Sequence, residues 1–326
     1  MEGLLWEIIK LVIAGLILMI ISVLHVAYLT YAERKIVARM QQRLGPNRVG
    51  PRGLLQPIAD MLKLLTKELI VPYNVDKPIF YLAPFISLVC GATSLALIPL
   101  WKTFVLSNIN VGILFVLALS SLSAYGIVLS GWSSNSRYAF LGGIRSGAQV
   151  ISYEIAMGIS LLTVVLMAGS MNLQDIVMAQ VHSVFKIYLI PQIIAFFVFM
   201  VSAVAECNRT PFDLPEAENE LVAGYFVEYS GMRFALFYLA EYFGMIVMSA
   251  LAVTCFLGGW AGPFEVPFIP CFWFLIKIYA LLFFYIWIRA TLPRYRYDQL
   301  MDLGWKILIP LSLANLFVTA LIKLII

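Results

Sequence analysis

The residues most able to do chemistry in this chain form an acidic stretch between two strongly apolar segments. Six carboxylates fall within the 23 residues from 206 to 228, and Arg209 is the only cation among them. The six are Glu206, Asp213, Glu216, Glu218, Glu220 and Glu228. Ionisable groups within apolar segments are costly and commonly functional. The stretch therefore predicts either a path of proton-exchanging carboxylates or a solvated surface loop that binds a partner.

Three further carboxylates lie in or beside apolar segments. Glu33 follows the first apolar run and is accompanied by Arg34 and Lys35. The positive-inside rule explains the two cations, because loops rich in Lys and Arg stay on the cytoplasmic side. Glu33 is not needed for that role. Glu154 and Glu241 each fall about two turns inside a predicted helix. Such a glutamate can be a structural hydrogen-bonding group, or it can release and regain a proton.

The composition requires that these residues be positioned by membrane-spanning helices. Hydrophobic residues make up 62% of the 326 positions and charged residues 12%, whereas a soluble domain is about 25% charged. Eight apolar runs are long enough to cross a hydrocarbon core of about 30 Å as helices. They span about 4–31, 79–101, 111–131, 148–168, 188–205, 234–257, 272–291 and 307–326. The expected fold is an all-α integral membrane protein with one transmembrane domain over 1–326.

One further helix is predicted to lie on the membrane rather than across it. After Gly53, apolar residues recur at i, i+3, i+4 and i+7 spacing up to Leu69, and polar residues fall between them. A helix at about 54–69 with this pattern is amphipathic and too short to span, so it should lie at the membrane surface. Asp60 within it could face a cavity or water.

The distribution of cations predicts which ends of the helices face inward. Of the 22 lysines and arginines, 16 fall in the loops that follow the first, third, fifth and seventh helices. Loops rich in Lys and Arg stay inside, so both termini should lie outside. Glu33, Glu154, Glu241 and the loop at about 206–233 then meet at the same inner, cytoplasmic face.

The remaining segments carry weaker signals. Residues 132–147 are predicted to form a loop in which three glycines permit close backbone approach, and residues 169–187 a second, short loop. Lys277 is an intramembrane cation for which either Glu241 or Glu265 could supply the counter-charge.

Metal and nucleic-acid functions find no support in the sequence. The four cysteines are not at metal-ligand spacing from one another and there are two histidines, which argues against an iron–sulfur or zinc site. The net charge of +4 reflects cations sorted by membrane side, so it indicates no nucleic-acid partner.

Several long motifs closely resemble those of one family. They are AERK at 32–35, GPNRVGPRGLLQPIADMLKLLTKE at 45–68, GGIRSGAQVISYE at 142–154, ECNRTPFDLPEAENELVAGYFVEYSGM at 206–232, AEY at 240–242 and RATLPRYRYDQLM at 289–301. They occur in one collinear order over nearly the whole chain. The chain thus resembles the quinone-chamber membrane subunit, known as the H subunit, of the proton-pumping NADH:quinone oxidoreductase, respiratory complex I.

The resemblance implies roles that spacing alone does not. A subunit of this family forms much of the chamber for a quinone substrate, together with peripheral-arm subunits and beside small membrane subunits. Flavin and iron–sulfur clusters lie on other chains. The implied chamber residues are Glu33, Arg34, Lys35, Ala59, Asp60 and Arg209. The implied proton path comprises Glu154, Glu206, Glu216, Glu218, Glu220, Glu228 and Glu241.

Two other classes and two locations stay open. The chain could be the membrane anchor of an ion-pumping hydrogenase or formate hydrogenlyase complex, which lacks quinone. It could also be an independent secondary transporter, although no clear internal repeat supports that interpretation. The expected location is a bacterial inner (plasma) membrane, with an organellar inner membrane as the alternative.

Overall fold

The regular structure of the described residues is helical. The computed structural model describes residues 2–102, 105–182, 187–213, 222–262 and 271–325. In chain order its helices are α1 (Glu2–Met40), α2 (Gln56–Thr66), α3 (Lys77–Ala96), α4 (Gly112–Ser133), α5 (Arg137–Ala168), α6 (Leu173–His182), α7 (Ile193–Glu206), α8 (Gly231–Phe256), α9 (Phe272–Thr291) and α10 (Tyr297–Ile325). Residues Leu303–Leu308 of α10 form a π-helical stretch. Glu216, Glu218, Glu220 and Glu265 lie outside the described residues.

The membrane class is confirmed. Within the described residues, seven helices are long and apolar enough to cross a membrane: α1, α3, α4, α5, α8, α9 and α10. The eighth predicted crossing corresponds to α7, which has 14 residues. At about 1.5 Å per residue α7 is shorter than the hydrocarbon core, so the count of eight is approximate.

Helix α7 begins at Ile193 rather than near residue 188 as predicted. Pro191 explains the difference, because proline cannot donate a backbone hydrogen bond and disfavours helix at the residue before it. Turns occupy residues 187–192, in which the Gln192 N–H donates to the Tyr188 carbonyl at 3.0 Å. The predicted end of the helix is correct to within one residue.

The ends of α1 and α2 also differ from the prediction. Helix α1 continues to Met40, nine residues past the predicted end, since its charged last turns contain no helix breaker. Helix α2 covers only Gln56–Thr66. The chain beyond it is extended because the backbone N–H of Ile70 donates to the Ser230 hydroxyl at 3.0 Å, at the start of α8. The apolar side chains Ile58, Met61, Leu62 and Leu65 of α2 are exposed, as expected for a helix at the membrane surface.

The predicted loop at 132–147 is mostly helix. Helix α5 begins at Arg137 and contains the three glycines. A Cβ at Gly142 would lie 2.7 Å from the Cα of Gly224, and one at Gly147 would lie 2.6 Å from Val128. Small residues at helix contacts let backbones approach closely in membranes, which outweighs the weak helix propensity of glycine. Glu154 consequently lies near the middle of α5 rather than two turns inside it.

The predicted loop at 169–187 contains helix α6. Asn172 supplies its start signal, because the Asn172 side-chain oxygen accepts a hydrogen bond from the Gln174 N–H at 2.9 Å. Asparagine at this position is a strong N-cap. The same side chain donates to Asn108 at 2.7 Å, which holds α6 against the segment before α4.

Helix α8 lies at the centre of the bundle. In its most apolar window 72% of the residues are buried, against 11% for α1, so α1 is peripheral. Helix α8 packs against α3, α9, α7, α6, α2 and α1, while α5 packs against α4, α7 and α10. The described ends of α1, α7 and α9 and the start of α8 therefore meet, and they carry the candidate site.

The number of crossings sets the positions of the termini. If α7 crosses the membrane, the chain crosses eight times and both ends lie on the outer face, as the cation distribution predicts. We expect a periplasmic alkaline phosphatase reporter to be active at either terminus. A fluorescent cytoplasmic reporter that is bright at the C-terminus and dark at the N-terminus would instead indicate seven crossings.

Candidate functional site

Arg209 is the hub of a buried network of charges. It follows α7 and is 4% exposed. Its Nη1 donates to Oε1 of Glu33 at 3.0 Å, and its Nε lies 2.5 Å from Oε1 of Glu241. One guanidinium thus joins a carboxylate of α1 to a carboxylate of α8. Hydrogen bonds between ionised groups are among the strongest in proteins, so Arg209 fixes the relative positions of these two helices.

Further groups from α8 and α9 complete the network. Arg289, in the last turn of α9, also contacts Oε1 of Glu33. The Tyr242 hydroxyl donates to Oε2 of Glu33 at 2.7 Å, and its ring lies under the Arg209 guanidinium at 4.5 Å. The hydroxyls of Tyr238 and Tyr242 are 2.9 Å apart. Two arginines therefore face two glutamates, which keeps the buried cluster close to neutral.

A cavity opens on one side of this network, where the end of α1, the start of α8 and the end of α9 meet. We call it the mouth cavity. Its volume is about 320 Å³, and Glu33, Arg34, Tyr238, Tyr242 and Arg289 are among its lining residues. Cations, a carboxylate and phenols converge on it. Such a space suits the polar head of a small molecule, because ligand sites combine a cavity with a few convergent polar groups.

The surface helix α2 is tied to the mouth cavity by an ion pair. Arg34 Nη1 donates to Oδ2 of Asp60 at 2.7 Å, and the Gln56 amide donates to Oδ1 at 2.9 Å. Asp60 therefore faces Arg34, which itself lines the mouth cavity. Ala59 lies beside Asp60 and is half-buried. Lys35 points elsewhere, with its ammonium 5.4 Å from the Tyr31 ring.

A second and smaller cavity lies on the other side of Arg209, between α3, α4, α7 and α8. We call it the inner cavity. Its volume is about 70 Å³, enough for more than one water molecule. Glu206, Glu241, Asn208 and four serines line it: Ser87, Ser94, Ser120 and Ser123. The Oε2 atom of Glu206 is buried without a hydrogen-bond partner in the described structure. Such an atom commonly bonds to water or exchanges a proton.

Glu154 lies close to this cavity on α5. The Ser121 hydroxyl donates to its Oε2 at 2.9 Å, and the Ser120 hydroxyl lies 3.4 Å from its Oε1. Glu154 and Glu206 are near enough to repel each other when both are charged. The structure thus brings Glu33, Glu241, Glu206 and Glu154 into one connected series.

Other predicted site residues lie outside this series. Glu228 is partly exposed after the turn Gly224–Phe226. Asp213 is buried and pairs with Arg294 at 2.9 Å, which anchors the start of the acidic stretch to the segment before α10. The N–H of Tyr295 donates to the Pro211 carbonyl at 3.1 Å at the same place.

The sequence left Glu241 and Glu265 open as the counter-charge of Lys277, whereas the structure gives its ammonium carbonyl partners; Glu265 lies outside the described residues. The Lys277 ammonium donates to the carbonyls of Leu257, Gly259 and Ala261 at 2.6, 3.0 and 2.6 Å. Glu241 contacts Arg209 instead. These carbonyls lie just past the end of α8, and the ammonium satisfies backbone acceptors there that no helix pairs.

Sequence reasoning missed several members of the network. Arg289 and Tyr242 fall within the family motifs, but the sequence assigns no site role to them or to Tyr238, Ser120 and Ser121. A signal for them exists in the sequence. Tyr238 and Tyr242 are four residues apart beside Glu241, and two adjacent serines interrupt the apolar run of α4. Polar and ionisable side chains within membrane helices are costly, so clusters of them indicate a functional polar path.

The fold and the site define an α-helical membrane protein in which a buried ionic network separates two cavities. The chain belongs to the NADH dehydrogenase family, whose model matches residues 13–320. It is 58% identical over 297 residues to the NADH-quinone oxidoreductase H subunit of Rickettsia typhi, covering 89% of this chain and 87% of that protein. The corresponding H subunits of Rickettsia rickettsii and Rickettsia bellii are each 57% identical over the same shares.

These comparisons confirm the resemblance to the H subunit of complex I. The apolar helices and the bacterial relatives also support a location in a bacterial inner membrane, as predicted.

Proposed function

We propose that this chain is the membrane subunit of an NADH:quinone oxidoreductase that forms much of the quinone chamber. We further propose that it begins the carboxylate path that couples quinone reduction to proton translocation. The position of Arg209 carries the proposal. Its guanidinium joins Glu33, at the mouth cavity, to Glu241, at the inner cavity.

The mouth cavity suits the head of a quinone. A quinone has two carbonyl oxygens that accept hydrogen bonds, and it takes up two electrons and two protons to become a hydroquinone. Arg34, Arg289 and Tyr238 supply donors around this space. The exposed apolar face of α2 offers the isoprenoid tail a route from the lipid. The electrons come from other subunits, which in this proposal carry the flavin and the iron–sulfur clusters.

Arg209 offers a physical means of coupling. A change of charge in the mouth cavity alters how strongly Glu33 holds the guanidinium. Arg209 then interacts more or less strongly with Glu241, and the proton affinity of Glu241 changes. Because Glu206 and Glu154 are close enough to repel one another, a proton gained by one affects the other. Reduction of quinone at one end of the series could thus move protons at the other end.

The proposed partners follow from the same arrangement. Peripheral-arm subunits would close the mouth cavity at the inner face, where Arg34 and Arg289 are half-exposed. Small membrane subunits and lipid would cover the peripheral helix α1, whose apolar side chains are largely exposed. No nucleic acid is proposed as a partner.

A larger residue at position 59 tests the quinone chamber. We expect Ala59→Phe to raise the KM for quinone several-fold, because the ring would fill space beside Asp60 at the entrance. Assembly of the complex should be unchanged. The matched control is Leu321→Phe, an exposed position on α10 that does not line the mouth cavity. The measurement is NADH-driven quinone reduction in membranes as a function of quinone concentration.

Photolabelling tests the same assignment directly. A photoreactive quinone analogue should label residues within 25–70 or 206–233 of this chain in the assembled complex. Excess quinone should suppress the labelling. Labelling of neither segment would contradict the proposed chamber, even if Ala59→Phe impaired the enzyme.

A further inference from the structure

One hydroxyl connects the inner cavity to Glu154. Ser120 lines that cavity together with Glu206 and Glu241, and its Oγ lies 3.4 Å from Oε1 of Glu154. Ser121 bonds to the same carboxylate at the shorter distance of 2.9 Å but does not line the cavity. Among the residues that the structure describes, Ser120 is the cavity-lining residue that makes a hydrogen-bond contact with Glu154.

The hydrogen bonds of Ser120 suit a group that passes a proton on. A serine hydroxyl carries one donor hydrogen and two acceptor lone pairs. The Ser120 hydroxyl also lies 2.9 Å from the carbonyl of Leu117, one turn earlier in α4. When its hydrogen points to that carbonyl, both lone pairs are free to accept. When the hydroxyl rotates, the same hydrogen can point to Glu154.

We propose that Ser120 relays protons between the inner cavity and Glu154, whereas Ser121 only holds the carboxylate in place. This inference rests on the proposed function. In the forward step, a cavity water takes a proton from the carboxylic acid of Glu206 and gives one to Oγ, while Oγ releases its own hydrogen to Oε1 of ionised Glu154. One O–H bond forms on Oγ and one breaks, so the serine ends neutral and then rotates back. No redox partner is needed.

The position of Glu154 makes a relay useful. Glu206 and Glu241 line the inner cavity, whereas Glu154 does not. Water in the cavity can therefore meet the first two carboxylates directly, and Ser120 borders the cavity and contacts the third. Proton transfer requires donor and acceptor within hydrogen-bond reach or joined by one intermediate. The Ser120 hydroxyl supplies that intermediate.

Three variants test the relay in the assembled NADH:quinone oxidoreductase in proteoliposomes. We expect Ser120→Ala to lower proton translocation per NADH oxidised by at least about tenfold, because methyl carries no exchangeable hydrogen. Ser120→Thr, which keeps the hydroxyl, should restore most of the ratio. Ser121→Ala removes the shorter hydrogen bond to the same carboxylate and should have the smaller effect.

The outcomes separate this inference from the proposed function. If Ser120→Ala pumps as well as Ser121→Ala, or better, the relay is wrong and the serines merely hold Glu154. If Ser120→Thr fails to restore pumping in a fully assembled complex, the hydroxyl is not the active feature. Either result leaves the proposed function intact as long as Glu154→Gln abolishes pumping. Full pumping by Glu154→Gln would instead contradict both the proposed function and the relay.

Discussion

A complex carrying both Glu154→Gln and Glu241→Gln is expected to lose proton translocation by about 100-fold while it still assembles in the membrane. Glutamine keeps the shape of glutamate but has no titratable proton. Its amide oxygen can accept from one of the two serine hydroxyls, and its NH2 group can donate to the other. A path of proton-exchanging carboxylates should therefore stop at either position. Glu154→Gln is the cleaner single change, because Glu241 is also part of the ionic network with Arg209.

The measurement is proton uptake into proteoliposomes during NADH oxidation, normalised to the amount of assembled complex. The matched control is Glu68→Gln, an exposed carboxylate beyond the end of α2, which should pump normally. Single glutamine changes at Glu216, Glu218 or Glu220 should be milder. These three alternate along the chain, so in an extended segment they would face one way and could replace one another. Full pumping by the Glu154, Glu241 double variant would show that both carboxylates are structural.

Arg209→Lys is expected to abolish quinone-coupled turnover even though it preserves the charge. The guanidinium reaches Glu33 through Nη1 and Glu241 through Nε at the same time. A lysine ammonium is a single point and lacks this fork, so it cannot hold both carboxylates in the same geometry. Disrupting a buried ion pair by changing one partner typically costs about 3–5 kcal/mol. Part of the complex should therefore also fail to assemble.

Two further variants separate assembly from coupling at Arg209. Arg294→Lys is the matched control, because Arg294 pairs with the single carboxylate of Asp213 and is 40% exposed. It should keep most of its activity, since a lysine ammonium can still pair with a single carboxylate. The Arg209→Gln variant leaves Glu241 as a buried charge without this partner, so its assembly should be impaired. Adding Glu241→Gln removes that charge and should recover assembly, as measured on native gels. It should not recover turnover. If Arg209→Lys turned over as well as Arg294→Lys, the bridge could not be the coupling element.

The sequence alone determined the class of protein and most of its crossings. Hydrocarbon forces every backbone polar group to bond internally, so long apolar runs must become helices. That rule predicted the ends of α3, α4, α8 and α9 to within about three residues, except the end of α3, which was predicted at 101 and lies at Ala96. The cost of ionisable groups in apolar segments likewise singled out Glu33, Glu154, Glu206 and Glu241. Predicted helix boundaries were wrong where a local signal was weak or was overridden by packing. The examples are the start of α5, which contains the three glycines of the predicted loop, and the start of α7, which Pro191 precedes.

The tertiary structure decided which of these charges meet. Arg209 and Glu33 are 176 positions apart in the chain, and Glu154 contacts serines 33 and 34 positions away. Helical periodicity shows which residues of a helix share a face, but not which neighbouring helix that face will touch. That choice depends on helix order, tilt and rotation, which packing of side chains sets across the whole bundle. For this reason Lys277 could not be matched with its three carbonyls, and the bridge from Glu33 through Arg209 to Glu241 became visible only in the folded chain.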